Sequence, residues 1–124
     1  MHKGAIFLGS AIFFVMATAW VNAQVATVID GSGSDLPEPI RIRAVTLVSE
    51  SLKDPMSAQL RRIRAGRYPE SVCGEVNAKS EMGGYVGFSP FYVLPYQNEA
   101  FLLNRAMLPG SAWGIDTFRE NGCL

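Results

Sequence analysis

Two cysteines, Cys73 and Cys123, stand fifty positions apart in a chain of 124 residues. If they are joined, the end of this sequence must lie against its middle, because a disulfide holds its two Cα atoms about 4.4–6.8 Å apart. Whether they are joined depends on the compartment, since disulfides persist in oxidising spaces and not in the cytosol. The first residues speak to that. Lys3 is followed by an apolar run from Ala5 to Val21, interrupted by Gly9, Ser10 and Thr18, and then by Val21-Asn22-Ala23. This is the layout of a secretory signal peptide over residues 1–23, cut before Gln24. An earlier cut after Ala19 and retention as a membrane anchor are the alternatives. Seventeen apolar residues span about 26 Å as a helix, short of a roughly 30 Å hydrocarbon core. No basic stop-transfer cluster follows, the next charge being Asp30, and no cysteine is placed to receive a lipid. Export and a single Cys73–Cys123 bridge are therefore expected together, with no integral membrane span after cleavage.

Cleavage would also remove His2, the only histidine. Without imidazole, Ser-His-Asp and Cys-His catalysis and His-ligated zinc are excluded, and two cysteines do not make a structural zinc site. No metal and no cofactor are expected. The chain would keep ten basic and eleven acidic residues. Without a basic excess, a nucleic-acid partner that works by neutralising phosphates is not expected.

Along the chain, residues 24–39 combine Gly31, Gly33, Pro37 and Pro39 with three acidic groups and read as a flexible acidic linker. Residues 40–124 read as one α+β domain, an N-terminal helix packed on a small antiparallel β-sheet of three to five strands with a single disulfide. Ile42, Val45, Val48 and Leu52 recur at helical spacing, and Asp54-Pro55 stops the element. Leu60 and Ile63 follow, set among Arg61, Arg62, Arg64 and Arg67. Region 41–67 holds seven basic residues against two acidic, and 68–124 three against six. The arginines suit either a solvated edge strand or a contact for an anionic partner. Residues 71–77 alternate as a strand. Tyr85 to Tyr96 reads as a second, longer strand with Val86, Phe88, Tyr92, Leu94 and Tyr96 on one face, and with Pro90 at a bulge or an edge. Tyr96 to Glu99 turns the chain into a segment from Ala100 that fits a strand or a short helix, ended by Pro109-Gly110. Trp113, Ile115 and Phe118 are apolar anchors expected to lie over the sheet beside the bridge.

The pattern Asp54-Pro55…Ser57-Ala58, then Cys73-Gly74-Glu75-Val76-Asn77-Ala78-Lys79 and Gly83-Gly84-Tyr85-Val86-Gly87-Phe88-Ser89-Pro90-Phe91, resembles that of a group of small, uncharacterised exported envelope proteins of Gram-negative bacteria and their phages. The resemblance implies a periplasmic or secreted envelope location and carries no catalytic assignment. Many of those proteins are lipid-anchored; this chain lacks the cysteine for it. Read physically, the glycines let the backbone turn and pass closely, while Tyr85, Phe88, Phe91 and Tyr92 supply either core or an aromatic contact surface. The candidate recognition patch is Asn77, Lys79, Tyr85, Phe88 and Phe91, with Arg61, Arg62 and Arg64. The expected function is a non-enzymatic binding domain whose partner is an envelope protein or an anionic envelope component. The alternatives are an inhibitor or immunity-like partner of an envelope enzyme, a structural envelope component, and a glycan hydrolase using Glu75 and Glu81 as its carboxylates.

Overall fold

The computed structural model describes Gly4, residues 24–103 and residues 112–124. The rest of residues 1–23 and the segment 104–111, which holds Pro109 and Gly110, lie outside them. Five strands form one sheet in the order β1 (Thr27–Val28), β2 (Gln59–Ala65), β3 (Val72–Asn77), β4 (Ser89–Leu94) and β5 (Glu99–Leu102). Strands β2 to β5 pair antiparallel, as expected, and β1 adds to the free edge of β2 in parallel. Helix α1 (Glu38–Glu50) covers one face and helix α2 (Ala112–Glu120) the other. Among the described residues, no helix is long and apolar enough to cross a membrane.

The first helix starts two residues earlier than its pattern suggests, with Pro39 in the first turn, where a missing N–H leaves no helical bond unmade. Its buried side is also turned. Ala44, Leu47, Val48 and Ser49 face inward, Val45 and Leu52 of the expected stripe pack part-buried against the same core, and Ile42 is 53% exposed. A polar contact selects this rotation. The buried Ser49 hydroxyl donates to the Val45 carbonyl at 2.7 Å and accepts the Ala26 N–H at 2.8 Å. The same contact draws residues of the supposed linker into the sheet edge, where Ala26 is buried and Ile29 donates to the Leu60 carbonyl at 2.9 Å.

Alternation along the strands sorts the core into two layers. Leu60, Ile63, Val72, Val76, Phe91, Val93 and Leu102 pack with α1, while Cys73, Tyr92 and Leu94 pack with Phe118 and Cys123. Each side chain fully buried in this way contributes on the order of 1.5–3 kcal/mol. Gly74 belongs to the α1 layer because the Phe91 ring crosses it. A Cβ there would lie 2.4 Å from Phe91 Cζ.

The long strand expected from Tyr85 to Tyr96 is shorter, and its side chains divide. Tyr92 and Leu94 share a face as expected, whereas Val86 is 61% and Tyr96 58% exposed. Residues 78–86 close their own small turn, with Lys79 bridged to Tyr85 and Ser80 N–H donating to the Gly84 carbonyl at 2.8 Å. Gly87, at φ +93°, then redirects the chain into β4 and donates its N–H to Asn77 Oδ1 at 3.0 Å. Pro90 lies one residue beyond the last β4–β5 pair, Phe91 with Leu102. After Leu94 the chain turns through Asn98, at φ +53°, into β5, so the segment from Ala100 begins as strand.

The bridge joins Cys73 to Cys123 with Cα atoms 5.1 Å apart, both buried. Beside it the fully buried Asn121 takes the Tyr68 N–H at 2.8 Å and the Ser71 hydroxyl at 2.9 Å on Oδ1, and its carbonyl accepts the Arg67 N–H at 2.9 Å. The β2–β3 turn is thus fastened to the end of α2 by polar and covalent links at once. Tyr92 stacks on Phe101 and meets Phe118 edge-on, both at 4.6 Å between ring centres. Burial pushes its phenol pKa up, with further upward influence from Tyr68.

Candidate functional site

The layer beneath α2 ends at the Cys73–Tyr92 pair. One pair further along the same face, Glu75 stands between Arg61 and Pro90, and all three are part-exposed. This open half of the sheet carries half of the residues expected to bind a partner.

Arg61 packs its guanidinium 3.6 Å above the Phe88 ring and donates from Nε to Glu75 at 3.1 Å. A guanidinium held between an aromatic face and a carboxylate has little freedom left. Next to it β2 breaks register, with a bulge between Arg61 and Arg64 and Arg62 at φ +53°. A non-glycine residue in that region costs on the order of 1 kcal/mol and persists only where its surroundings hold it. The hold comes from the arm that follows β1. The Arg62 N–H donates to Asp30 Oδ2 at 2.8 Å, and the Ile63 N–H to Ser32 Oγ at 2.8 Å. Asp30 and Ser32 therefore replace a neighbouring strand at the point where β1 has ended. The Arg62 N–H, joined by the hydroxyl and N–H of Ser32, holds the Asp30 carboxyl at a pKa of about 2.

The bulge redirects the arginine side chains. Arg62 comes within 3.5 Å of Glu75, which is thereby flanked by two guanidinium groups and has a side-chain exposure of 16%. Arg64 donates to two backbone carbonyls, that of Arg62 at 3.1 Å and that of Gly122 at 3.2 Å. Between them opens a cleft of about 440 Å³, with Arg62, Arg64 and Glu75 as its polar groups and Ile63, Pro90, Cys123 and Leu124 as its apolar wall.

The expected patch divides. Arg61, Phe88, Arg62 and Arg64 come together on the open half-face. Asn77 lies on β3 beside it, with its amide spent on Gln59 and Gly87. Lys79 and Tyr85 belong to the 78–86 turn, the ammonium 5.5 Å from the ring centre and the phenol donating to the Ser57 carbonyl at 2.7 Å. Phe91 is removed from the patch. It is 1% exposed and lies in the α1 core, because strand alternation sends it to the face opposite Pro90 and Tyr92. The two carboxylates considered for hydrolysis line different clefts: Glu75 the one just described, and Glu81 a smaller one of about 230 Å³, where it pairs with Lys53. The reading of residues alone missed Asp30, Ser32, Ile63 and Leu124. An acidic arm against a basic β2 was the available signal for the first.

No known protein family, curated protein or solved structure matches this chain.

Proposed function

We propose that the chain is an exported envelope protein that works as a binding domain, without chemistry of its own, through the open half of its sheet. The observation that carries this reading is the bulge at Arg62. A backbone conformation costing about 1 kcal/mol is kept by two dedicated side-chain bonds from Asp30 and Ser32, and it accompanies the convergence of Arg61 and Arg62 on one carboxylate, with Arg64 beside them on the same cleft. The excess of guanidinium over carboxylate favours an anionic partner, and the buried bridge keeps the Cys123 side of the cleft in place. The test is affinity capture from the host's periplasm with the wild type and with Arg61→Ala/Arg62→Ala. One stoichiometric partner retained by the wild type and lost from a variant that melts at the same temperature is the expected result. An unchanged set of captured proteins from the folded variant refutes the use of this face.

A further inference from the structure

The arginines of the open face do not do the same work. Arg61 is committed to Glu75 and to Phe88, and Arg62 shares that carboxylate at the longer distance of 3.5 Å. Arg64 differs from both. Two of its donors are taken by neutral backbone carbonyls, which orient the guanidinium, and no carboxylate among the described residues pairs with it. It is anchored and aimed, yet its charge is uncompensated. With Arg62 and Arg64 against Glu75, the side chains lining the cleft keep a surplus of one positive charge.

The wall beside them is apolar. Ile63 is almost wholly buried, Pro90 is part-exposed and Leu124 is 55% exposed. A ligand filling this space needs an anion for Arg62 and Arg64 and, a few ångströms away, an apolar group for Pro90 and Leu124. We propose that the cleft binds an acidic peptide segment of a partner protein, one carboxylate side chain between Arg62 and Arg64 and a neighbouring apolar side chain against Pro90 and Leu124. A planar guanidinium fork matches a carboxylate in geometry as well as charge. The concave form favours a side chain that reaches inward over the flat headgroup plane of a bilayer. Glu75, on the same floor, repels a second negative charge, so a singly charged carboxylate fits better than a phosphate dianion.

This inference rests on the reading of the open half-face as a binding surface and adds the chemistry of what it binds. The test follows amide NMR shifts of the disulfide-closed protein titrated with a short acetylated peptide of alternating glutamate and leucine. Saturable shifts at Arg62, Ile63, Arg64 and Leu124 are expected, and none with the glutamine analogue of the peptide. Arg62→Gln and Arg64→Gln should each weaken binding by about tenfold or more, while Arg119→Gln, which removes the same charge from α2, should not. Should loss of the Gly122 contact unfold the Arg64 variant, Arg62→Gln alone decides. The proposal is overturned by the absence of saturation, by shifts centred on other residues, or by undiminished affinity in the folded Arg62 variant. Binding to phosphatidylglycerol vesicles that the peptide does not displace also overturns it, in favour of a lipid surface. If capture of a periplasmic partner depends on the open face while the peptide fails, the chemistry assigned here is wrong and the binding reading stands. If neither depends on that face, both fall.

Discussion

Replacing both cysteines with alanine, Cys73→Ala/Cys123→Ala, measures how far this fold relies on one covalent link. The bridge closes a loop with a sequence separation of 50. In the chain-entropy treatment a loop of that length restricts the unfolded chain by about 14 cal/mol/K, or about 4 kcal/mol at room temperature. Both sulfurs are buried beside Tyr92 and Phe118, so the double variant also forfeits a small amount of packing. The midpoint of thermal unfolding should fall by roughly 15–30 °C, taking about 4–8 °C per kcal/mol for a domain of this size. Urea unfolding followed by circular dichroism should show an increased m-value as well, because the unlinked chain exposes more surface when it unfolds. Amide exchange adds location: α2 and the residues around Asn121 should lose protection before β3 and β4 do. A loss below about 1 kcal/mol with unchanged m-value and unchanged exchange in α2 would falsify the argument that the link acts on the unfolded chain.

Three further outcomes follow from the geometry. Asn121→Ala strips the acceptor from the Tyr68 N–H and leaves the Ser71 hydroxyl only the Tyr68 carbonyl, at a fully buried position, and should cost about 1–3 kcal/mol in denaturant unfolding, where a cost near zero would mean that water replaces the amide. Gly74→Ala drives a methyl into the Phe91 ring and should destabilise by about 1–3 kcal/mol; Gly74→Ala/Phe91→Leu should recover part of this, and strictly additive losses would show that the two do not meet. Asp30, its carboxyl lowered from 3.8 to about 2, supports the bulge fully above its ordinary pKa and loses that support as the pH falls through about 2; Asp30→Asn should flatten this acid limb, and an identical acid profile in the variant counts against the contact.

Much of the frame was legible in order along the chain. Apolar alternation marks β3, apolar residues at helical spacing ahead of Asp54-Pro55 mark α1, which ends at Glu50, and an even cysteine pair forms a bridge. These are local signals that depend on a few neighbouring residues and on backbone preferences. The α+β class followed from them. What local pattern left open was any choice settled by a distant atom. Val45, Val48 and Leu52 of the expected stripe do pack on the core, whereas Ile42 yields its place to Ala44 and Leu47. The Ser49 hydroxyl, bonded to Ala26 twenty-three residues away, fits that rotation.

The same holds for the site. Phe91 belongs with the aromatic block in sequence, yet a period of two puts it under α1 and its neighbours Pro90 and Tyr92 on the other side. An arm of glycine, serine and aspartate has the composition of a linker, and in the folded chain it holds a strained arginine and the isoleucine after it through one hydrogen bond each. The residue types, their charges and the pairing of sulfurs were thus readable in one dimension, because each is a property of the residue or of its near neighbours. The rotation of α1, the bulge in β2 and the cleft it opens had to await the packed molecule, because each arises where segments far apart in the chain satisfy one another's polar groups.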